Sequence, residues 1–149
     1  MKIRPYKNQD WEAVNKIYNL AKPDEMKGSV DLRALIPLED DKNNLKLFHD
    51  SRIIVVEERE LILGFGGYRL NYISWLFVHP DHRRKGVGQM LLNQVLSRLA
   101  GTIKLNVAKN NIAAKKLYEK HGFKIEREFV GNFNGFESQA MTLILEKSS

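Results

Sequence analysis

The sequence contains no cysteine, which excludes disulfides and thiolate metal sites and is compatible with a reducing compartment. Long apolar runs are also missing. No stretch reaches membrane-spanning length, and the opening "MKIRPYKNQDW" has no apolar signal core, so a cytoplasmic protein without membrane contact is expected. There is no repeat, low-complexity tract or linker to divide the chain, and 149 residues suit one domain spanning 1–149 with a single sizeable core. Acidic residues are the minority charge: 24 Lys and Arg against 18 Asp and Glu give +6 and a pI near 9.5. That balance favours a polyanionic partner without naming it, since nucleic acid, a membrane surface and a phosphorylated cofactor would all be attracted. What is present, 43% hydrophobic and 28% charged residues, is the balance of a globular fold.

Turn and periodicity signals divide the chain into elements. "MKIRPY" reads as a short strand ended by Pro5, and Asp10 is placed to cap a helix running to about Leu20 with Trp11, Val14, Ile17 and Tyr18 on one face. Residues 22–50 are polar and broken by Pro23, Gly28 and Pro37. "VDLRALI" offers a short helix there, and the whole stretch is expected to cover a site. "RIIVVEE" and "LILGFGGYRL" read as strands joined at a charged turn, and "YISWLFV" as a buried strand. Val87, Leu91, Val95 and Leu99 recur at helical spacing until Gly101. Then come the strand "TIKLNVA", the helix "NNIAAKKLYEKHGF" and two strands around Asn134-Gly135, a hairpin signal. This order predicts a mixed α/β sheet with helices on its faces.

"FVHPDHRRKGVGQMLLNQVL" (77–96) carries the most chemistry. A helix N-terminus leaves backbone N–H groups unpaired and partly positive. Gly86 and Gly88 let a ligand approach those amides, and Arg83, Arg84 and Lys85 add charge, so the stretch describes an anion cradle for phosphate or pyrophosphate. A solvated turn uses the same residue types, and GxG alone is weak evidence. Neither G-x-x-x-x-G-K-[ST] nor G-x-G-x-x-G occurs.

"VHPDHRRKGVGQMLL" resembles the signature of the GCN5-related N-acetyltransferase (GNAT) superfamily, in which a strand ending V-x-P is followed by R/Q-x-x-G-x-G/A and a helix. "LNVAKNNIAAKKLYEKHGF" is similar to its second motif, L-x-V…N-x-x-A…L-Y-x-x-x-G-F, so residues 72–123 match in order and spacing. The resemblance implies the acyl-CoA N-acyltransferase fold: a mostly antiparallel central sheet with a splayed strand pair, flanked by helices on both faces. It also implies acetyl-CoA as cosubstrate and no metal. Its diphosphate would lie on Arg83, Arg84, Lys85, Gly86, Val87, Gly88 and Gln89, and its pantetheine arm beside Phe77 and Val78, whose open strand edge lacks a partner. The Val78 amide would face the thioester carbonyl as an oxyanion donor.

Asn111 matches a family asparagine that contacts the cofactor arm, although Asn110 or Asn111 serves equally as a helix cap. Tyr118 falls on the family tyrosine that protonates the departing sulfur. A thiol pKa near ~8.5 and a phenol pKa near ~10 make that transfer uphill by only about 2 kcal/mol; a core tyrosine is the plainer reading. Some protein-acetylating relatives carry a glutamate where this chain has Asn106, and an asparagine cannot accept the proton. A lysine amine is neutral in roughly one molecule in 2,500 at pH 7, against a cost of about 1 kcal/mol for an α-amine. The base role therefore falls to a weakly basic acceptor itself, or to water relayed from Glu57, Glu58 or another acid. His79 and His82 lack the partners a metal would need, and His121 suits a helix C-terminus.

Three functions follow: an acetyl-CoA-dependent N-acetyltransferase acting on a primary amine in a ternary complex, a non-catalytic acyl-CoA sensor, and a nucleic-acid binder. Interleaved acids and the absence of aromatics among the cations disfavour the last. The acceptor, whether small molecule or peptide, the oligomeric state and the use of acyl groups other than acetyl are not fixed by these residues.

Overall fold

The computed structural model describes residues 1–148. Strand β1 (Lys2–Pro5) leads to helix α1 (Trp11–Met26) and, after two short 3₁₀ turns, to α2 (Lys42–Asp50). Strands β2 (Arg52–Glu58), β3 (Leu61–Arg69) and β4 (Tyr72–Val78) form a meander. Helix α3 (Val87–Leu96), β5 (Gly101–Ala108), α4 (Ile112–Lys120) and the hairpin β6 (Lys124–Phe133) and β7 (Phe136–Lys147) complete the chain. The seven strands make one sheet in the order β1-β2-β3-β4-β5-β7-β6. Only β4 and β5 run parallel; the other neighbours are antiparallel. The mixed, mostly antiparallel sheet is the one the sequence predicts. Both two-residue hairpin turns place their central residues in the left-handed region that suits strand twist, Arg59 and Glu60 in one, Asn134 and Gly135 in the other.

Alternation along the strands sends side chains to two cores. From β2, Ile54 and Val56 pack with α3 and α4, while Val55 packs with α1 and α2. In β4 the alternation is reset. Gly67 pairs with Trp75 but Tyr68 with Ile73, so Ser74 is an extra, bulged residue. Ile73 therefore joins the α3 side, and Trp75 and Phe77 join the α1 side. There Phe65 stacks on Phe77 with ring centroids 5.3 Å apart, and Tyr18 and Phe48 close the cluster.

The splay between β4 and β5 follows from the same bulge. The two strands share one register pair, Tyr72 with Lys104, and Asn71 clamps that end by donating to Ala100 O at 2.7 Å and Thr102 O at 3.2 Å. Beyond it they part. Val78 lies opposite Gly64, and the His79 N–H donates to Leu63 O at 2.8 Å. Ladder alternation then turns the backbone groups of Val78 and Leu76 away from β3 and into the gap.

Four expectations are corrected. Helix α1 does not stop near Leu20 but runs through Pro23 to Met26. The proline forfeits one N–H bond, yet the continued turn buries Ala21 and Met26. Asp10 stands at the start of α1 without capping it: its carboxylate takes the Arg4 guanidinium at 2.8 and 2.9 Å and the Lys7 N–H at 2.8 Å. In 22–50, "VDLRALI" yields only a 3₁₀ turn at Leu32–Ala34. The helix is α2, capped by Asp41 accepting from the Asn44 N–H. The segment is tied to β7 by the Val30–Ser138 bridge and by Gln139 N–H donating to Ser29 O at 2.8 Å. Finally, α3 ends at Leu96 and Gly101 opens β5 instead of closing the helix.

The Arg4–Asp10–Glu57 network yields a first prediction. Arg4 and Asp10 are 12% and 5% exposed, and Glu57 holds the guanidinium from the other side at 3.1 Å. The Arg4 hydrogen bonds hold the Asp10 carboxyl below the usual carboxylate range, against the opposing pull of burial. Its stabilisation is therefore complete above the unfolded-chain pKa of about 3.9 and lost as pH falls through the lower folded value. Asp10→Asn should cost about 2–3 kcal/mol in urea unfolding at pH 7, because a guanidinium loses its charged partner. The difference from the parent protein should shrink as the pH drops below about 3.9.

Candidate active site

The loop between β4 and α3 is shaped by two residues with left-handed backbone, Arg84 (φ 65) and Gly86 (φ 80). Gly86 is the residue before α3, and a Cβ there would meet nothing within 4 Å, so the glycine serves conformation alone. This turn points the first N–H groups of the ten-residue α3 into a groove of about 680 Å³. The groove runs from Arg83, Arg84, Gly86, Gly88 and Gln89 past Leu76, Phe77 and Val78 to the start of α4. Its size and single cationic end suit a long ligand with an anionic head.

The sequence-predicted residues divide by placement. Gly88 lies where a Cβ would touch Leu117 Cδ2 at 3.5 Å and Val78 Cγ2 at 3.7 Å, which is ordinary contact. The fold itself tolerates more there, and the glycine keeps the groove open. Val87 is buried in the core, leaving only its backbone to the groove. Arg83 also binds Asp24 of α1 at 2.9 Å, and Gln89 accepts from Lys120 at 3.2 Å. Lys85 is not among the lining residues, although its ammonium meets Nδ1 of His82, which is, at 3.1 Å. Phe77 lines the groove, but its main chain is taken by pairing with Phe65 on β3. Asn111 lines the groove while its side chain caps α4, accepting from Ala114 N–H at 3.3 Å.

A second, smaller cavity of about 110 Å³ adjoins the groove between β4 and β5, sharing Glu25, Leu76, Phe77 and Ala114 with it. Tyr118, 6% exposed and packed edge-on to Phe123, lines it with Asn106 and Ser74. Burial first, then the nearby Glu25 and Tyr72, push the phenol well above its usual pKa, so it keeps its proton throughout the working range. Asn106 is spent on Thr142, accepting its hydroxyl at 2.7 Å. Glu57, one acid considered for a water relay, is held by Arg4 and faces a different cavity. Glu58 pairs with Leu61 at the turn end of β2. Among the described residues no group of three or more His, Cys, Asp or Glu is placed to hold a metal.

A family model described as "Acetyltransferase (GNAT) domain" matches residues 49–125, from the end of α2 to the start of β6, including both motifs and the groove lining other than its α1 residues. The chain belongs to the GNAT family. Cysteine-rich protein 2-binding protein from Homo sapiens is 37% identical over 87 residues, covering 54% of this chain and 11% of that protein. Peptidyl-lysine N-acetyltransferase YjaB from Escherichia coli is 36% identical over 72 residues, 48% of each chain. The chain thus spans about half the length of one of these relatives and about a tenth of the other. The GNAT fold is matched along the whole chain by a GCN5-related N-acetyltransferase from Rhodopseudomonas palustris. That structure has a TM-score of 0.82 at 18% identity and covers 98% of this chain and 94% of its own. yncA from Salmonella typhimurium, solved with acetyl-CoA, gives 0.75 at 19% identity and covers 100% and 95%.

Within this GNAT site, three contributors were not found from sequence. Leu76 presents backbone to the gap, Asp24 anchors Arg83, and Glu25 lines both cavities. The first depends on a bulge and the other two on a helix continuing past proline.

Proposed function

We propose that this GNAT protein transfers the acetyl group of acetyl-CoA to a primary amine, with a peptidyl lysine as the first acceptor to test. The observation that carries the reading is the adjacency of the two cavities, which share lining residues. A groove headed by exposed α3 amides leads, along the unpaired edge of β4, to a buried tyrosine. The acceptor class comes from the name of the Escherichia coli relative, and the cosubstrate from the acetyl-CoA bound by the Salmonella structure.

When bound, the thioester supplies an activated acyl group. The α3 N-terminal amides and Arg84 hold its diphosphate, and the outward groups of Leu76 and Val78 complete a strand-like ladder with the amide-bearing arm. The Val78 N–H, left without a strand partner, is positioned to donate to the carbonyl oxygen as charge develops on it. Tyr118 holds the proton that the departing sulfur needs. Fixing both reactants in line provides much of the acceleration. A protein that only senses acyl-CoA has no use for that phenol.

Calorimetry with acetyl-CoA, followed by a thiol-release assay on a panel of lysine peptides, α-amino peptides and small amines, tests the proposal. Micromolar binding with turnover on lysine peptides is expected. Binding without turnover on any amine would leave the sensor reading in its place.

A further inference from the structure

We propose that Glu25, on the last turn of α1, is the general base that takes the proton from the acceptor ammonium in the reaction proposed above. Glu25 lines both the groove and the smaller cavity, and it is the one carboxylate among the described residues that lines the latter. The residue is half-buried, but its Oε2 is sealed from solvent and has no hydrogen-bond partner among the described residues. Buried carboxylate oxygens are ordinarily paired. An unpartnered one, on a residue that lines the chamber where the acyl group would end, has a vacant acceptor position for an N–H donor.

The surrounding charges leave that position free. On α1, Lys22 holds its ammonium over the rings of Tyr18, Phe77 and Phe133 at 5.3–5.6 Å, and Asp24 is bound to Arg83. The loop contributes His82, Arg83 and Arg84, and α4 contributes Tyr118. Strands β4 and β5 put no titratable side chain on the lining, where they present such residues as Ser74, Leu76, Phe77, Val78 and Asn106; Tyr72 of β4 acts on Tyr118 from outside the lining. Burial pushes the Glu25 carboxyl up to about 7, with Lys22 and Arg83 pulling the other way. Relative to an ordinary glutamate near 4.5, that makes its carboxylate about 300-fold more basic.

The protons balance as follows. Glu25 Oε2 accepts one proton from the R–NH₃⁺ nitrogen, whose freed lone pair forms the C–N bond to the thioester carbon. The C–S bond then breaks, its electron pair going to sulfur, and Tyr118 donates its phenolic proton there. The second nitrogen proton restores the phenol, and Glu25 releases the first to solvent through the groove. The net products are the amide, the thiol and one proton.

The inference rests on the acetyltransferase reading, and the test separates the two. In the parent protein kcat/KM should rise with pH through an apparent pKa near 7. Glu25→Gln should remove that limb and lower kcat/KM for a lysine peptide at least 100-fold while leaving acetyl-CoA affinity unchanged. With an acceptor amine already neutral at pH 7, the two proteins should differ less than fivefold, which a merely structural residue would not produce. Stability gives an independent readout. The folded carboxyl titrates above the unfolded one, so its ionisation destabilises the fold progressively as pH rises from about 4.5 to about 7. Glu25→Gln should therefore melt several degrees above the parent at pH 8 and converge with it at pH 4. Equal turnover of parent and variant on lysine peptides overturns the proposal alone; acetyl-CoA binding without turnover in the parent overturns the acetyltransferase reading and this one together.

Discussion

Gly88→Leu should raise the dissociation constant for acetyl-CoA at least 100-fold, about 2.7 kcal/mol or more, without lowering the melting temperature. The two halves of this result have separate causes. Glycine in a helix costs up to about 1 kcal/mol relative to alanine, and leucine is nearly as good a helix former as alanine. The space beside Gly88 accepts a Cβ at ordinary distances from Leu117 and Val78, so the fold does not resist the change. The added branch, however, projects between those two residues, which themselves line the groove. It fills the passage that a ligand seated on the α3 amides must use to reach the β4–β5 gap. Gly88→Ala is the matched control, with affinity within about tenfold of the parent and equal or greater stability. Calorimetry and thermal melts on the three proteins measure both quantities. Unchanged affinity in the leucine variant would mean that the diphosphate sits elsewhere.

The part of this site that was legible in the sequence is the part written in local chemistry. Glycines before a helix, an Asn-Gly between two strands and an apolar run broken by cations each act within a few residues, and each appears where expected. What was not legible depends on register or on distant packing. Lys85 is as basic as Arg84 on paper, but after the left-handed turn at Arg84 only the arginine lines the groove and the lysine sits against His82. Phe77 and Leu76 exchange roles because ladder alternation, set by pairing with β3 after the Ser74 bulge, decides whose backbone faces the gap. Glu25 was hidden by a reasonable rule. Proline usually ends a helix, and Pro23 made everything after it read as loop, whereas the burial of Ala21 and Met26 outweighs the one lost hydrogen bond and carries Glu25 to the cavity.

Tyr118→Phe should lower kcat by 10²–10³ (about 2.7–4.1 kcal/mol in barrier) and leave acetyl-CoA affinity within twofold, because the phenol is asked to act only when sulfur departs. Its raised pKa, taken alone, weakens it as an acid. Burial, though, penalises any anion in that cavity, the departing thiolate included, so both pKa values rise together. The difference of about 1.5 units between phenol and thiol survives, and the transfer remains uphill by only about 2 kcal/mol. The same upward displacement has a kinetic signature. A phenol that titrated normally would switch off an acid-dependent step near pH 10, whereas this one should leave the alkaline limb of kcat flat to that pH in the parent protein. Removing the hydroxyl should not destabilise the protein appreciably, since the ring keeps its edge-on contact with Phe123 at 5.6 Å. A variant that retained full kcat would show sulfur leaving unassisted or protonated by water, and the buried phenol would then be core packing alone.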